Sequence, residues 1–162
     1  MVNYRRYRIP GTWVFFTQVL HDRSRPLLTE HIDLLREAYN TVHARWPFHT
    51  VAFVVLPDHL HCIWSLPGDD TDYPGRWRMI KSRFTRLLRL RGVQVGVRSH
   101  GERCVWQRRY WEHTLHTEDD LRAHVDYIHG NPLKHGWAER MADWPYSSFH
   151  AYASRGDERA SR

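Results

Sequence analysis

Two histidines separated by one residue are the first candidates for chemistry in this 162-residue chain. His59 and His61 flank Leu60 in a stretch predicted to be a β-strand, where alternate side chains point to the same face of a sheet. Both imidazoles would then project together, and two neutral imidazoles are a good start for a divalent metal site. The chain has 13 histidines, so the alternative is an ordinary polar pair on the wet face of a sheet.

A tyrosine in a predicted helix is the second candidate. Residues 124–132 have the sequence HVDYIHGNP, in which Tyr127 and Asn131, at i and i+4, share one helix face. A tyrosine hydroxyl is a nucleophile once a neighbouring group or metal activates it. Many helical tyrosines fill the core instead, but Val125 and Ile128 could supply the core face here and leave Tyr127 pointing elsewhere.

Basic residues concentrate in one stretch of the chain. The net charge is +6, and residues 73–101 contain eight Lys or Arg and no Asp or Glu. Like charges on one helix repel, whereas a phosphate backbone would neutralise them and release counterions. A nucleic-acid partner is therefore favoured over a merely solvated face. The residues outside the apolar stripe of this helix are Arg76, Arg78, Lys81, Arg83, Arg86 and Arg89.

Arginines and aromatic residues alternate further along the chain. Residues 103–113 have the sequence RCVWQRRYWEH, a composition suited to stacking unpaired bases beside phosphate contacts. An aromatic edge strand of the core is the alternative interpretation of the same pattern.

The elements that must position these residues follow from periodicity and capping signals. Thr29 is a candidate N-cap for the first helix, Pro74 suits the first turn of the second, and Thr117 caps the last. That last helix should stop near residues 130–132, at Gly-Asn-Pro. Strands are predicted at residues 12–20, 50–56 and 59–66, helices at 29–45, 74–91 and from 117, and a β-like or irregular segment at 105–115.

The order β, α, β, β, α, β followed by an extra helix predicts an α+β fold. It matches the ferredoxin-like split βαβ pattern, an antiparallel sheet with helices on one face and an additional C-terminal helix. We expect one domain over residues 1–152 and a short polar tail over 153–162. Cys62 and Cys104 form no disulfide framework, and no apolar run is long enough for a signal peptide or membrane span, so a cytoplasmic protein is expected.

Several segments of the chain resemble those of a known protein family. Residues 57–64, PDHLHCIW, resemble the HUH motif (His, hydrophobic, His) of single-tyrosine transposases, and residues 125–136, VDYIHGNPLKHG, resemble their nucleophile helix. The resemblance extends to residues 3–7, 76–77, 105–108 and 144–150, and so covers nearly the whole chain in order. The most similar branch is that of the REP-associated tyrosine transposases.

The resemblance implies a metal-dependent single-stranded DNA endonuclease and transposase. Tyr127 would be the catalytic nucleophile, forming a 5′-phosphotyrosine and freeing a 3′-OH, and cleavage and rejoining would occur at REP-like hairpins. Mg²⁺ or Mn²⁺ would be bound by His59, His61 and Asn131. His129 and Asp126 are possible substitutes for Asn131.

The resemblance also implies single-stranded and hairpin DNA as the partner, bound by a monomer, with a dimer as the alternative. A hairpin-binding module that no longer cuts is one rival. A small zinc hydrolase is another, but no third convincing zinc ligand stands out. The expected DNA contacts are Arg76, Arg78, Lys81, Arg83 and Arg86 on the basic helix, and Arg5, Arg6, Trp106, Arg108 and Arg109 elsewhere.

Overall fold

Runs of β-branched and aromatic residues form the sheets. The computed structural model describes residues 12–160, and their side chains through residue 156. The larger sheet has the order β2-β3-β1-β6, with every neighbouring pair antiparallel, and β4 and β5 pair in a small separate sheet. The strands are β1 (Trp13–Val19), β2 (His49–Val55), β3 (His59–Ser65), β4 (Gly96–Val97), β5 (Arg103–Cys104) and β6 (Trp111–Leu115).

Helices cover both faces of the larger sheet. The first face packs against α2 and α3, which contribute to one apolar core, and the second face packs against α4. This topology confirms the predicted ferredoxin-like fold, with the extra helix lying opposite the other two. The helices are α1 (Leu27–Glu30), α2 (Ile32–Arg45), α3 (Tyr73–Leu90), α4 (Glu118–Lys134), α5 (Phe149–Ala160) and a 3-10 helix (Met141–Asp143).

Strand β3 contributes side chains to both layers. Leu60, Cys62 and Trp64 belong to the core beneath α2 and α3, where the Trp64 ring stacks on Trp77 with centroids 4.3 Å apart. Ile63 belongs to the second core, with Ile128 of α4. Because alternate strand residues point to opposite faces, the same alternation sends the histidines of β3 toward α4.

The helix ends correct two expectations. Thr29 lies inside the short α1, and α2 begins after His31 without a side-chain cap. Thr117 does cap α4, accepting a hydrogen bond from the Asp120 amide at 3.1 Å. However, α4 continues through Pro132 to Lys134. A proline within the last turn removes only one helical hydrogen bond, and the helix ends two residues later. Residues 153–160 of the predicted polar tail lie in α5.

The end of α4 is set by Gly136. Its φ is +73°, its amide donates to the Leu133 carbonyl at 3.0 Å, and the Trp137 amide donates to the Pro132 carbonyl at 2.8 Å. These two bonds are those of a Schellman motif, which satisfies the free carbonyls at a helix C-terminus.

Cys62 and Cys104 are buried free thiols, as predicted. Within residues 12–160, no helix has the length and apolar character needed to cross a membrane.

Gly136→Ala should lower the free energy of unfolding by about 1–2 kcal/mol, because an L side chain is strained at positive φ. Nothing lies near the new Cβ, so the strain comes from the backbone and not from a clash. Urea denaturation followed by circular dichroism measures the change. Gly156→Ala, within exposed α5, is the matched control and should leave stability equal or slightly higher. Equal destabilisation of the two variants would contradict the assignment.

Candidate active site

The two histidines of β3 lie together beneath α4. Both are buried, and their ring centroids are 5.0 Å apart at an interplanar angle of 82°. The His61 ring contacts Tyr127 of α4, and the His59 ring contacts His135 just after that helix. The expected common face is therefore found, and the alternative of a polar pair on a wet sheet surface is wrong because α4 covers this face.

Hydrogen bonds fix the orientation of each imidazole through Nδ1. His59 Nδ1 is 2.7 Å from Asp58 Oδ1, and the other oxygen of Asp58 accepts from Arg23 Nε at 2.8 Å. His61 Nδ1 is 2.8 Å from the hydroxyl of Thr17 on β1. When a carboxylate accepts from Nδ1–H, the proton stays there and the Nε2 lone pair is left for a ligand.

The electrostatics of the site keep His61 neutral. Burial is the largest cause that lowers the pKa of His61 to about 3, and repulsion from His59, His135 and Lys134 contributes to the same shift. Burial by itself raises the pKa of Asp58, but hydrogen bonds from His59 and Arg23 outweigh it and leave that pKa below its ordinary value. At neutral pH the site therefore combines a neutral imidazole with an ionised carboxylate behind the other ring.

Tyr127 stands at the edge of the histidine pair. Its side chain is 38% exposed, its ring meets that of His61 edge-on with centroids 5.4 Å apart, and Lys134 Nζ lies 5.0 Å from its ring centroid. Ile128 takes the buried core position of this helix turn, as expected. Tyr127 is consequently free to meet a substrate, and the core-filling alternative is wrong.

Asn131 lies one helical turn after Tyr127 and one turn before His135, on the same face of α4. Its side chain is 0% exposed, and neither amide atom has a hydrogen-bond partner among residues 12–160. A buried amide without a partner is costly. The two neighbours of Asn131 on this face each contact one histidine of β3, Tyr127 contacting His61 and His135 contacting His59. An unpartnered amide oxygen on the helix face that meets these imidazoles suits a bound cation or that cation's water, so the residues present fit a metal ion. The described part of the chain contains no group of three His, Cys, Asp or Glu side chains that could hold one.

The substitutes considered for Asn131 point elsewhere. His129 Nε2 lies 2.9 Å from the Ser148 hydroxyl, and its ring contacts Tyr152 of α5. Asp126 is exposed and acts electrostatically on His129. Neither is brought to the histidines of β3.

Sequence reasoning missed His135 and Lys134 as neighbours of the site. The signal available was spacing, since His135 repeats the four-residue step from Tyr127 to Asn131. That signal was hidden by the expectation that the helix stops at Pro132.

A basic groove of ≈ 650 Å³ lies on the other side of the sheet, between α3 and residues 98–110. Lys81 reaches across it, donating to the Gln107 carbonyl at 3.1 Å, with Nζ 5.6 Å from the Tyr110 ring centroid. Glu102 is the acidic residue of its lining and pairs with Arg108 at 2.6 Å. The basic residues that line this groove are Arg78, Lys81, Arg86, Arg89, Arg98, Arg103 and Arg108.

Two of the expected DNA contacts are contradicted by the structure. Arg76 is 4% exposed, and its guanidinium donates to Asp70 at 2.8 Å and to the backbone carbonyls of Trp46 and Pro47. It therefore ties α3 to the loop before β2 instead of presenting charge at the surface. Trp106 is 5% exposed and packs on Phe84, so the core alternative holds for it, and only a small part of its surface reaches the lining of the basic groove.

The remaining expected contacts differ in their surroundings. Arg78, Lys81, Arg86 and Arg108 line the basic groove. Arg83 turns toward α2 and donates to Glu37 at 3.3 Å. Arg109 is exposed, whereas Arg5 and Arg6 lie outside the described residues.

A ferredoxin-like sheet whose histidine pair lies beneath a tyrosine-bearing helix has the fold of the HUH single-tyrosine transposases. The chain is 45% identical over 156 residues to the REP-associated tyrosine transposase of Escherichia coli (strain K12), covering 96% of this chain and 87% of that protein. A Haemophilus influenzae (strain KW20) relative with the same family name is 45% identical over 152 residues, covering 93% and 86%. No protein-family model matches the sequence.

A solved structure supports the same assignment. It is described as a REP-associated tyrosine transposase bound to a REP hairpin, and it superposes with a TM-score of 0.84 at 44% identity. The match covers 96% of this chain and 87% of that one. The chain therefore belongs to the REP-associated tyrosine transposases.

The free energy of unfolding should fall as the pH falls from about 6.5 toward 3. Folding lowers the pKa of His61 from 6.5 to about 3, so between these values the unfolded chain binds more protons than the folded chain, which favours unfolding. Urea denaturation in EDTA at about pH 7 and about pH 5 measures the loss. His61→Gln should lose less stability between the two pH values than the wild type.

His49→Gln, at an exposed position of the edge strand β2, is the control and should keep the wild-type loss. A His61→Gln variant with the full wild-type loss would show that other groups govern the acid sensitivity.

Proposed function

We propose that the chain is a metal-dependent single-stranded DNA endonuclease and transposase that cleaves and rejoins DNA at REP-like hairpins. The observation that carries this proposal is the exposed Tyr127 ring set edge-on against His61, 5.4 Å between centroids. The solved relative that is 44% identical is described as bound to a REP hairpin. Family membership and the geometry around Tyr127 together support tyrosine-mediated strand cleavage.

His59, His61 and Asn131 are the residues that would hold Mg²⁺ or Mn²⁺. Both histidines engage a neighbour through Nδ1, which leaves Nε2 on each ring, and the Asn131 amide has no other partner among the described residues. Imidazole nitrogen with amide oxygen and water is a donor set that Mn²⁺ accepts, and Mg²⁺ commonly keeps several waters in such sites. When bound, the ion supplies Lewis-acid stabilisation of the phosphate charge.

The chain's own residues carry the covalent step. The Tyr127 hydroxyl oxygen attacks phosphorus in line and its proton passes to solvent. The bond from phosphorus to the 3′ oxygen breaks, and that oxygen takes up a proton from solvent. The products are a 5′-phosphotyrosine and a free 3′-OH. Attack of a DNA 3′-OH on this linkage reverses the step and joins strands, since the phosphotyrosine keeps the phosphodiester bond energy.

Lys134 adds a positive charge beside the nucleophile. Its Nζ lies 5.0 Å from the Tyr127 ring centroid, and its charge acts on both His61 and His135. A cation at this position favours the approach of a phosphate, which is anionic, to the tyrosine.

The basic groove supplies a surface for the hairpin backbone. Seven Lys and Arg residues line it with one carboxylate, Glu102. Neutralising phosphates on such a surface releases counterions and makes binding dependent on salt. We therefore assign the groove to the phosphates of the DNA stem and the α4 face to the strand that is cut.

Tyr127→Phe should abolish the covalent protein–DNA product, because the variant keeps the ring but loses the attacking oxygen. The measurement is denaturing gel electrophoresis after incubation with a labelled REP-like hairpin carrying a single-stranded flank, with Mg²⁺ or Mn²⁺ and with EDTA. Wild type should give a metal-dependent labelled band at the protein's position.

Tyr152→Phe, a half-buried tyrosine whose hydroxyl donates to the Val51 carbonyl, is the matched control and should still form the band. An adduct in Tyr127→Phe would assign the nucleophile elsewhere. No adduct in wild type across a panel of hairpins would favour a binding module that does not cut.

Arg86→Gln in the groove should weaken binding to hairpins of any sequence. The slope of the logarithm of affinity against the logarithm of salt concentration should become shallower by roughly one unit, since one phosphate contact is lost. Fluorescence anisotropy across a salt series measures both quantities. Arg83→Gln, whose guanidinium faces Glu37 outside the groove lining, is the control, and an equal change of slope there would count against the groove.

A further inference from the structure

We propose that Trp111 is the stacking platform for one unpaired DNA base next to the cleaved phosphate. The inference rests on the proposed function and adds a substrate-positioning residue to it. Trp111 is the first residue of β6, the edge strand beside β1.

Strand register aligns Trp111 with the histidine site. Thr17 of β1 is opposite His61 on β3 and opposite Trp111 on β6. Directly opposed residues share a face of the sheet, so Trp111 lies on the α4 face, in the same row as His61. Two strand spacings separate β3 from β6, roughly 10 Å, which places the indole beside the site and not within it.

The indole of Trp111 is presented to solvent. It is 60% exposed, although tryptophan gains more than most residues from burial. Next along the same face, exposed His113 stacks on His124 with centroids 5.4 Å apart, and His124 contacts Phe15, which also contacts Tyr127. Aromatic side chains thus follow one another on this face from Trp111 to Tyr127, with the Phe15 ring buried between His124 and Tyr127.

The charges near these rings favour single-stranded DNA as the molecule that binds this face. Arg109 precedes Trp111 by two residues and is exposed, and Lys134 lies over Tyr127 at the other end. Aromatic faces flanked by cations match the two parts of a single strand, since bases stack on the rings and phosphates meet the charges. An apolar protein partner would gain nothing from this concentration of positive charge.

A double-mutant cycle that combines abasic DNA with Trp111 variants tests the contact directly. Equilibrium binding is measured for the full chain carrying Tyr127→Phe, so that cleavage does not interfere, on hairpins in which a single abasic site is moved through the flanking strand. At one position the missing base should weaken binding about tenfold. In the double variant that also carries Trp111→Leu the same abasic site should cost nothing, and Trp111→Phe should restore part of the effect.

Trp46→Leu is the matched control, because Trp46 is also exposed but follows α2 at a distance from this face. The Trp46→Leu variant should show the full loss of DNA affinity caused by the abasic site. An abasic penalty that persists undiminished in Trp111→Leu, or the absence of any position-dependent penalty in the parent protein, would overturn the proposal. The adduct assay with Tyr127 intact reports the proposed function separately, so a stacking result and a cleavage result can fail independently.

Discussion

The register of β3 between its two neighbours is the constraint on which the rest of the structure depends. This strand is buried on both faces, with Leu60, Cys62 and Trp64 in one core and His59, His61 and Ile63 toward α4. A slip of one residue would exchange the two sets, because the side-chain period of a strand is two. Two imidazoles would then enter an apolar core, and the site would lose both of its histidines. The stacked Trp64 and Trp77 rings oppose that slip.

Helix α4 must then meet the histidines with the correct face. Ile128 anchors it in the second core with Phe15 and Ile63, while the Thr117 cap and the Gly136 turn set its two ends. Phe15 links the layers, because its ring contacts His61, His124 and Tyr127. Tyr127, the proposed nucleophile, is therefore oriented by ring contact with an apolar residue of the central strand pair. This arrangement leaves the Tyr127 oxygen available.

The parts of the site that were predictable depend on local periodicity. Strand alternation gave the shared face of His59 and His61, and helical spacing gave Tyr127 and Asn131 on one side of α4. Which of the other side chains are buried or exposed depends on partners that are distant in sequence. Arg76 has the spacing of a surface residue but is buried by Asp70 and by carbonyls thirty residues earlier. Trp106 and Trp111 lie in the same Arg-rich and aromatic segment, and only the sheet determines which is buried, because Trp106 bridges to Leu20 and packs on Phe84.

The segment from Trp106 to Trp111 joins the two faces of the molecule. At one end it forms a wall of the basic groove beside α3, and at the other it becomes the edge strand beside the tyrosine site. Arg108 lies in the groove lining, and Trp111 lies on the α4 face. In the proposed function, the stem and the cut strand of one DNA molecule contact opposite faces of the sheet, so the strand must pass around an edge. The β6 edge carries the cations and exposed ring that such a path requires, whereas the β2 edge is occupied by residues 146–148, which bond to Phe53 and Val55.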